Sequence, residues 1–209
     1  MDVVVIFPGI GYTADRPLLY YARKIAEMQG YDRTISVQYV YRGGNIRGNQ
    51  EKMREAFAEL YRQAEAALSE INWEDCSGIL FISKSIGTVI AAAYAQSHGI
   101  RAKHLLYTPL AETFRFAGAF QAAEPSRSTN PSGSAESSQS EQSDPAGTIA
   151  FLGTKDPWSD VNEVQRACEN LSVPLKLIEE ANHSLETGDP VRDIRILEAV
   201  MEETQEFLQ

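Results

Sequence analysis

Short apolar runs alternate with segments of helical period along this chain, and that alternation limits its fold more than any other feature. The runs predict six strands, at residues 3–7, 35–41, 79–83, 104–108, 148–152 and 175–178. Most of them are nearly continuous apolar stretches, which is typical of parallel strands that are covered on both faces. The sequence therefore predicts an α/β protein.

Between the runs, apolar side chains recur at steps of three and four residues, the period of a half-buried helix. The clearest stripe consists of Met53, Phe57, Leu60, Ala64, Ala67 and Ile71. Other helices are predicted from near Pro17 to just before Gly30 and at residues 86–97, 160–170 and 190–208. Together these elements predict a doubly wound, mostly parallel six-stranded sheet with helices on both faces. Right-handed crossovers would bring the loops after the strands to one edge of the sheet, where ligands bind in such folds.

The chain length of 209 residues predicts a single domain, 1–209, that carries one insertion. Residues 124–147 are rich in Ser, Pro, Gln and Glu and contain no aliphatic side chain larger than Ala. Such a segment buries too little apolar surface to offset its ordering entropy, so it is predicted to be a disordered surface loop. The alternative is a mobile flap over a site, because the segment leaves the C-terminal end of a strand.

The formal net charge of −10 argues against nucleic acid and anionic membranes as partners, because binding either one requires clustered Lys and Arg. Cys76 and Cys168 are far apart, which predicts neither a disulfide framework nor a zinc site and fits a reducing compartment. No stretch reaches the ~18–20 apolar residues of a membrane span, and the run at 3–7 is too short for a signal peptide. A cytoplasmic protein without metal or cofactor is expected; the sequence does not define its oligomeric state.

The strongest local motif is Ser83-Lys84-Ser85-Ile86-Gly87, between an apolar strand and an Ala-rich helix. It matches the nucleophile-elbow pattern Gly-x-Ser-x-Gly, with Ser83 in place of the first glycine. In such a turn the central serine has a strained backbone, so its neighbours two positions away must be small. The helix N-terminus would direct backbone N–H groups, first that of Ile86, at a developing oxyanion. An ordinary turn in which Ser85 only caps the helix is the alternative.

An acidic residue and a histidine follow two later strands. Asp156 belongs to the run Gly-Thr-Lys-Asp-Pro-Trp after the strand at 148–152, and His183 belongs to the run Asn-His-Ser-Leu-Glu after the strand at 175–178. Serine, then acid, then histidine, each after its own strand, is the chain order of the catalytic residues in α/β hydrolases.

On these motifs the chain resembles the α/β-hydrolase superfamily over nearly its full length. It looks most like small bacterial members that lack the N-terminal hairpin and a full cap domain. The resemblance implies a serine hydrolase of the carboxylesterase or thioesterase type, with Ser85 as nucleophile, His183 as base and Asp156 as acid. The substrate that it implies is a small-molecule ester, thioester or amide, cleaved through an acyl-enzyme, and no cofactor is implied.

The loop after the first strand, Pro8-Gly9-Ile10-Gly11, lies where α/β hydrolases carry His-Gly-x. By the resemblance, the N–H of Ile10, or else that of Gly11, is the second oxyanion donor, and Pro8 replaces the usual histidine. Gly9, Gly11 and Ala14 also fit a relaxed dinucleotide-binding fingerprint. That interpretation is disfavoured because the second predicted strand ends without an acid for a ribose hydroxyl and the following helix starts late.

Other residues compete for the roles of base and acid. The alternative bases are His98, at a helix end, and His104, which opens a strand. The alternative acids are Asp160 and Glu186. Asp160 is expected to cap a helix, and Glu186 is too near the histidine in sequence to reach under its ring. All four are therefore disfavoured.

Several residues near the motifs are candidates for a pocket. Lys84 could act as a base, as in Ser–Lys enzymes, but the middle positions of an elbow point away from the nucleophile, so it is predicted to be a surface or rim residue. Gly11, Tyr12, Trp158 and Leu185 are predicted to line the substrate pocket, although buried aromatics more often serve packing. Three further aromatic residues could shelter an acyl chain or anchor a short helix to the core: Phe114, Phe116 and Phe120.

A second class of function has support in the same motifs. Ser83 in place of glycine and Pro8 in place of histidine are what a non-catalytic α/β-hydrolase-like protein, binding a ligand or a partner, could carry. Such a protein has no need of the ordered serine, acid and histidine, so the enzyme interpretation is preferred.

Overall fold

The computed structural model describes residues 1–120 and 147–209, and in them six strands form one sheet in which every neighbouring pair is parallel. The strands are β1 (Asp2–Phe7), β2 (Arg33–Ser36), β3 (Gly78–Lys84), β4 (Lys103–Tyr107), β5 (Thr148–Gly153) and β6 (Leu175–Ile178). Their spatial order is β2-β1-β3-β4-β5-β6. This confirms the predicted doubly wound parallel sheet.

Within these two described ranges, five α-helices cover the sheet: α1 (Pro17–Met28), α2 (Gln50–Leu68), α3 (Ile86–His98), α4 (Val161–Asn170) and α5 (Pro190–Leu208). Short 3₁₀ helices lie at Trp73–Asp75, Ala111–Arg115 and Ala117–Ala119. Helices α1 and α5 pack on one face of the sheet, and α2, α3 and α4 pack on the other. Helix α3 is buried almost all round, which explains its Ala-rich sequence.

The central strand β1 shows why these runs are continuous apolar stretches. Val3, Val5 and Phe7 face the core under α2 and α3, whereas Val4 and Ile6 face the core under α1 and α5. All five are completely buried. Because successive side chains point to opposite faces, a strand that is covered on both sides needs apolar residues at every position.

The second strand, β2, is shorter than the strand predicted at residues 35–41, and it begins two residues earlier. Its pairing with β1 begins at Val3 opposite Arg33 and ends at Ile6 opposite Ser36. Beyond that point Val37 donates one last hydrogen bond to the Ile6 carbonyl (3.0 Å), and β1 itself ends one residue later. The β-branched and aromatic residues from 37 to 41 therefore have no strand to pair with, and the prediction for this segment was wrong.

The insertion predicted at residues 124–147 lies, apart from Gly147, outside the described residues, and the single-domain organisation stays a prediction. None of the helices that the structure describes is long and apolar enough to cross a membrane.

Candidate active site

The turn between β3 and α3 places Ser85 at the carboxyl edge of the sheet. Its backbone has φ 56° and ψ −128°, a conformation that non-glycine residues rarely adopt. Gly87 allows this turn, since a Cβ at that position would lie 2.1 Å from the Phe7 carbonyl oxygen. Ser83 fits in place of the usual glycine because it is fully buried and its hydroxyl donates to the Leu105 carbonyl of β4 (3.3 Å).

Thr88 holds the turn from inside the helix, a role that the sequence analysis missed. Its backbone N–H and its hydroxyl both donate to the Ser85 carbonyl, at 2.9 and 2.6 Å. The same hydroxyl is 2.6 Å from that of Thr113, and both threonines are fully buried. The strained backbone of Ser85 is therefore fixed from several directions.

Ser85, His183 and Asp156 form one hydrogen-bonded chain. The Ser85 hydroxyl is 2.8 Å from His183 Nε2, and His183 Nδ1 is 2.7 Å from Asp156 Oδ2. The other carboxylate oxygen of Asp156 accepts the backbone N–H of Trp158 at 2.8 Å. Because a carboxylate only accepts, the pattern fits an imidazole that is protonated on Nδ1 and accepts the serine hydroxyl on Nε2. The three residues predicted from the sequence are thus brought together.

Backbone contacts tie the loop of the carboxylate to the loop of the imidazole. The N–H of Lys155 donates to the Ala181 carbonyl (2.9 Å), and that of Asp156 donates to the Gly153 carbonyl (3.1 Å). A Cβ on Gly153 would lie 2.2 Å from the Ala181 oxygen, so only glycine permits this approach. The two loops that follow β5 and β6 are consequently held as one unit.

The loop that carries the imidazole is a tight turn organised by Asn182. Its side-chain oxygen accepts the N–H of Ser184 (2.7 Å) and that of Glu186 (3.3 Å), and its own N–H donates to the Glu186 carbonyl (2.8 Å). Such local side-chain-to-backbone bonds are a common use of asparagine in turns. The sequence analysis missed this residue, although an Asn directly before the histidine was the available signal.

The electrostatics favour a neutral imidazole at His183. Burial lowers its pKa, and the nearby ammonium of Lys84 lowers it further. The hydrogen bond to Asp156 and the negative charge of that carboxylate act in the opposite direction. A neutral ring with Nε2 free to accept is what a general base requires.

The two residues that were predicted to supply the oxyanion N–H groups, Ile86 and Ile10, both lie near Ser85 in the fold. Ile86 is the first residue of α3, and Ile10 follows Gly9, whose added Cβ would be 3.2 Å from that of Ser85. Neither isoleucine N–H has a hydrogen-bond partner among residues 1–120 and 147–209.

A cavity of about 560 Å³ opens directly beside Ser85 and His183. Its apolar walls come from several elements: Ile10, Ile46, Met53, Phe57, Ile86, Val89, Leu110, Phe116 and Trp158. Polar side chains that border it include Asn45, Gln50, Arg54, Glu112 and Arg115. Of the four residues predicted to line a pocket, only Trp158 does so.

The other three predicted pocket residues lie elsewhere. Gly11 is exposed on its turn, with φ 76°. The Tyr12 hydroxyl accepts the N–H of Leu18 (3.3 Å), so the ring packs between the turn and α1. Leu185 is 2% exposed and packs in the core under α1 and α5. The prediction was wrong for these residues because nearness in sequence to a site residue does not fix the direction of a side chain.

The three phenylalanines of the segment before residue 121 lie in two different places, the cavity and the core. Phe116 lines the cavity and stacks on Phe57 (ring centroids 6.3 Å apart). Phe114 and Phe120 are buried against one another in the main core (5.9 Å). Phe114 and Phe120 therefore anchor the segment to the core, and the sheltering of an acyl chain by Phe116 stays a prediction.

Comparisons with known proteins identify the architecture. No protein-family model and no curated protein matches the sequence significantly. Among solved structures, Est1E from Butyrivibrio proteoclasticus, with ferulic acid bound, gives a TM-score of 0.60 at 11% identity over 100% of this chain and 88% of that one. An alpha-beta serine hydrolase homologue from Coxiella burnetii gives 0.58 at 15% identity over 97% and 84%. The esterase Pf2001 from Pyrococcus furiosus gives 0.55 at 13% identity over 99% and 82%.

The chain has the α/β-hydrolase fold. In this fold the nucleophile, the acid and the base follow three different strands in that chain order. Here Ser85, Asp156 and His183 follow β3, β5 and β6.

Within this α/β-hydrolase fold, the residue before Ser85 departs from its prediction. Lys84 was expected at the surface or rim, but it is only 1% exposed. Its ammonium donates to the Thr108 hydroxyl (2.9 Å) and to the His183 carbonyl (2.7 Å), and it lies 4.6 Å from the centre of the Tyr12 ring. The side chain does point away from Ser85, as expected, but the loop after β6 covers it.

The competing bases and acids have other partners. His98 is 2.8 Å from the Glu65 carboxylate on α2. His104 is fully buried between aromatic rings, and burial lowers its pKa to about 3. Asp160 caps α4 by accepting two backbone N–H groups, as predicted. Glu186 is exposed, and its side chain makes no hydrogen bond with His183.

Proposed function

We propose that this protein is a serine hydrolase that cleaves an ester, thioester or amide through a covalent acyl-enzyme. The observation that carries the proposal is the hydrogen-bonded chain from Ser85 through His183 to Asp156. A nucleophile, a base and a group that orients the base, each within hydrogen-bond distance of the next, are the parts that activate a serine.

The proposed reaction begins when Ser85 Oγ attacks the carbonyl carbon and His183 Nε2 takes the hydroxyl proton. Asp156 keeps the other ring nitrogen protonated and stabilises the imidazolium. The N–H groups of Ile86 and Ile10 would bind the oxyanion, each contributing on the order of 3–4 kcal/mol to the transition state. The intermediate collapses as His183 gives its proton to the leaving group. Water, deprotonated by the same nitrogen, then attacks the acyl carbon. The bond to Ser85 Oγ breaks, the carboxylic acid product leaves, and His183 returns the proton to the serine.

The cavity beside Ser85 supports an apolar acyl group as the part of the substrate that is bound. Its volume of about 560 Å³ lies in the range of small-molecule sites, and most of its walls are aliphatic or aromatic. The proposed substrate is therefore a small molecule with an apolar acyl portion. The net charge of −10 supports neither nucleic acid nor an anionic membrane as a partner.

The rival proposal, a non-catalytic binding protein, rests on Ser83 and Pro8. Ser83 has its own hydrogen bond to β4, so this departure does not disturb the turn of Ser85. Binding alone would not require the strained backbone of the serine or the 2.8 Å contact with the imidazole. Both features support chemistry at Ser85.

The test is labelling of the purified protein with a fluorophosphonate, which reacts covalently with activated serines. We expect the wild type to be labelled and to hydrolyse short acyl esters, and we expect Ser85→Ala and His183→Ala to do neither while staying folded. Ser97→Ala and His98→Ala, on the same helix α3 but outside the cavity, are the matched controls and should behave as wild type.

The proposal fails if the folded wild type is not labelled, or if Ser85→Ala retains full esterase activity. In the first case a binding assay with the same acyl compounds would test the rival proposal.

A further inference from the structure

Lys84 is a buried cation directly behind the proposed site. Transfer of an ammonium group into a protein interior is costly unless its N–H donors find partners. Here the ammonium donates to two oxygen atoms, of Thr108 and of the His183 backbone, and it also lies over the face of the Tyr12 ring. An amine with these contacts restrains the groups around it.

The partner that anchors this amine is itself held in an unusual conformation. Thr108, directly after β4, has φ 47°, which is unfavourable for a β-branched residue. Its N–H donates to the Phe151 carbonyl of β5 at 2.7 Å, and the residue is fully buried. Strain of this kind persists only where the surroundings impose it. Here it presents the hydroxyl to the amine.

The contact with the imidazole loop runs through the backbone. The amine donates to the carbonyl of His183 itself, the residue whose ring touches Ser85. The loop after β6 is therefore tied at this point to the end of β3, which also carries the serine. Without the amine, that carbonyl would lose its partner inside the protein.

Charged and titratable groups face the amine from three of the four loops around it, and the fourth, after β4, presents the uncharged Thr108. The charged and titratable groups are Tyr12 after β1, Asp156 after β5, and His183 and Glu186 after β6. The two carboxylates favour the ammonium form, and burial opposes it more strongly, so the pKa of Lys84 falls to about 8. The positive charge in turn lowers the pKa of the imidazole.

We propose that Lys84 is a positioning residue for His183: its buried ammonium, anchored by Thr108, fixes the His183 backbone and so holds the imidazole against Ser85. The inference rests on the proposed function in that this imidazole is taken as the base. Lys84 itself takes no proton from Ser85, because its amine bonds to Thr108 and the His183 carbonyl instead.

The kinetic test replaces Lys84 by methionine, which has a similar length but neither charge nor donors. We expect kcat for an acyl ester to fall roughly 10- to 100-fold, since a small displacement of a catalytic group has effects of this size. KM should change little, because Lys84 does not line the cavity. The acidic limb of the pH profile should move to higher pH, because removing a positive charge makes the imidazole easier to protonate.

Two further variants sharpen this test. Thr108→Val removes the anchoring hydroxyl but keeps the charge, and we expect a smaller fall in kcat. Lys103→Met removes the same charge at the opposite end of the neighbouring strand β4, and should leave both kcat and the acidic limb unchanged. If Lys84→Met does not fold, Thr108→Val carries the test alone, and an unchanged kcat in that variant overturns the proposal.

A titration of His183 by NMR separates this inference from the proposed function, because it needs no turnover. The chain has only three histidines, so the imidazole signals can be assigned with single-histidine variants. We expect a higher pKa for His183 in Lys84→Met than in wild type, and no change in Lys103→Met. An unchanged pKa together with an unchanged kcat in folded Lys84→Met would refute the positioning role. A raised pKa in a protein that fluorophosphonate does not label would refute the proposed function alone.

Discussion

Lys84 and Asp156 bring opposite charges into the protein on either side of one imidazole. Asp156 is 7% exposed and uses both carboxylate oxygens, one for the ring of His183 and one for the backbone of Trp158. Lys84 uses its amine for the backbone of that same histidine. The ring is thus directed by the acid and its main chain by the lysine. Two separate side chains thus contact one histidine, one at its ring and one at its backbone.

The burial of Lys84 predicts a pH-dependent stability that methionine would remove. Its pKa is about 8 in the folded protein, below the ordinary value of 10.5, so between these values the unfolded chain binds a proton that the folded protein does not. The free energy of unfolding of the wild type therefore gains a contribution that grows with pH in this window. Relative to Lys84→Met, the wild type should gain about 2 kcal/mol between pH 7.5 and pH 10.

Denaturant unfolding of both proteins at several pH values measures this difference. If the free energy of unfolding changed with pH in the same way in both proteins, the pKa of the Lys84 amine would not be lowered in the folded state.

The residue types of the site could be predicted from the sequence, but part of its surroundings could not. Ser85, Asp156 and His183 follow apolar runs, and parallel strands bring such positions to one edge. The burial of Lys84 depends on the fold of the loop after β6, which no local pattern reports. Asn182 likewise acts through turn geometry that only the structure defines.

At the scale of elements, contacts between elements determined where a strand ended and which kind of helix formed, and local residue preferences did not. Residues 37–41 contain the β-branched and aromatic types that favour strands, yet β2 ends at Ser36 because its partner β1 ends. Residues 111–119 form two 3₁₀ turns packed on α3 instead of one short helix. The strands β1 and β3 were predictable because they are buried on both faces. Such burial requires an almost continuous run of apolar residues, which is visible in the sequence.

The close approach of β1 and α3 makes Gly87 the most sensitive position of the elbow. A methyl group there would lie 2.1 Å from the Phe7 oxygen and 2.5 Å from that of Pro8, and neither backbone atom can move without shifting the sheet. Gly87→Ala should therefore cost roughly 3 kcal/mol or more in unfolding free energy. Thermal and denaturant unfolding would measure the cost.

Gly78→Ala is the matched control for this substitution. It begins β3, and its added methyl group would meet only the side chain of Asp2, at 3.1 Å. We expect an effect of about 1 kcal/mol or less, because a side chain on the protein surface can rotate away. Equal losses in the two variants would contradict the steric explanation.

At the scale of the whole molecule, the sheet brings together one apolar cavity from segments far apart in sequence. Its walls come from the loops after β1, β2, β5 and β6, from α2 and α3, and from the 3₁₀ segment after β4. None of these segments forms a pocket alone. This is why the sequence predicted the edge of the sheet correctly but only one of the four predicted lining residues, Trp158, borders the cavity.

The position of Val89 predicts how the cavity could be made smaller. It lies one turn into α3 and lines the cavity, with 7% of its surface exposed. Val89→Phe should lower kcat/KM for esters of longer acyl chains roughly 10-fold or more relative to acetyl esters, since each methylene that no longer fits loses about 1–3 kcal/mol. Rates for an ester series of increasing chain length measure the change.

Val40→Phe is the control for bulk alone, because Val40 is 62% exposed and outside this cavity. The same chain-length profile in wild type and Val89→Phe would mean that the acyl group binds elsewhere.

The backbone of Ser85 has a consequence for the history of such a chain. Glycine adopts the combination of φ 56° and ψ −128° freely, whereas any larger residue is strained in it. Selection for folding alone would therefore favour glycine at position 85. A lineage that kept this architecture but lost its chemistry should drift toward glycine there while its core stayed apolar. The proposed function requires a serine at this position, and glycine in its place in a descendant would mark the loss of that function.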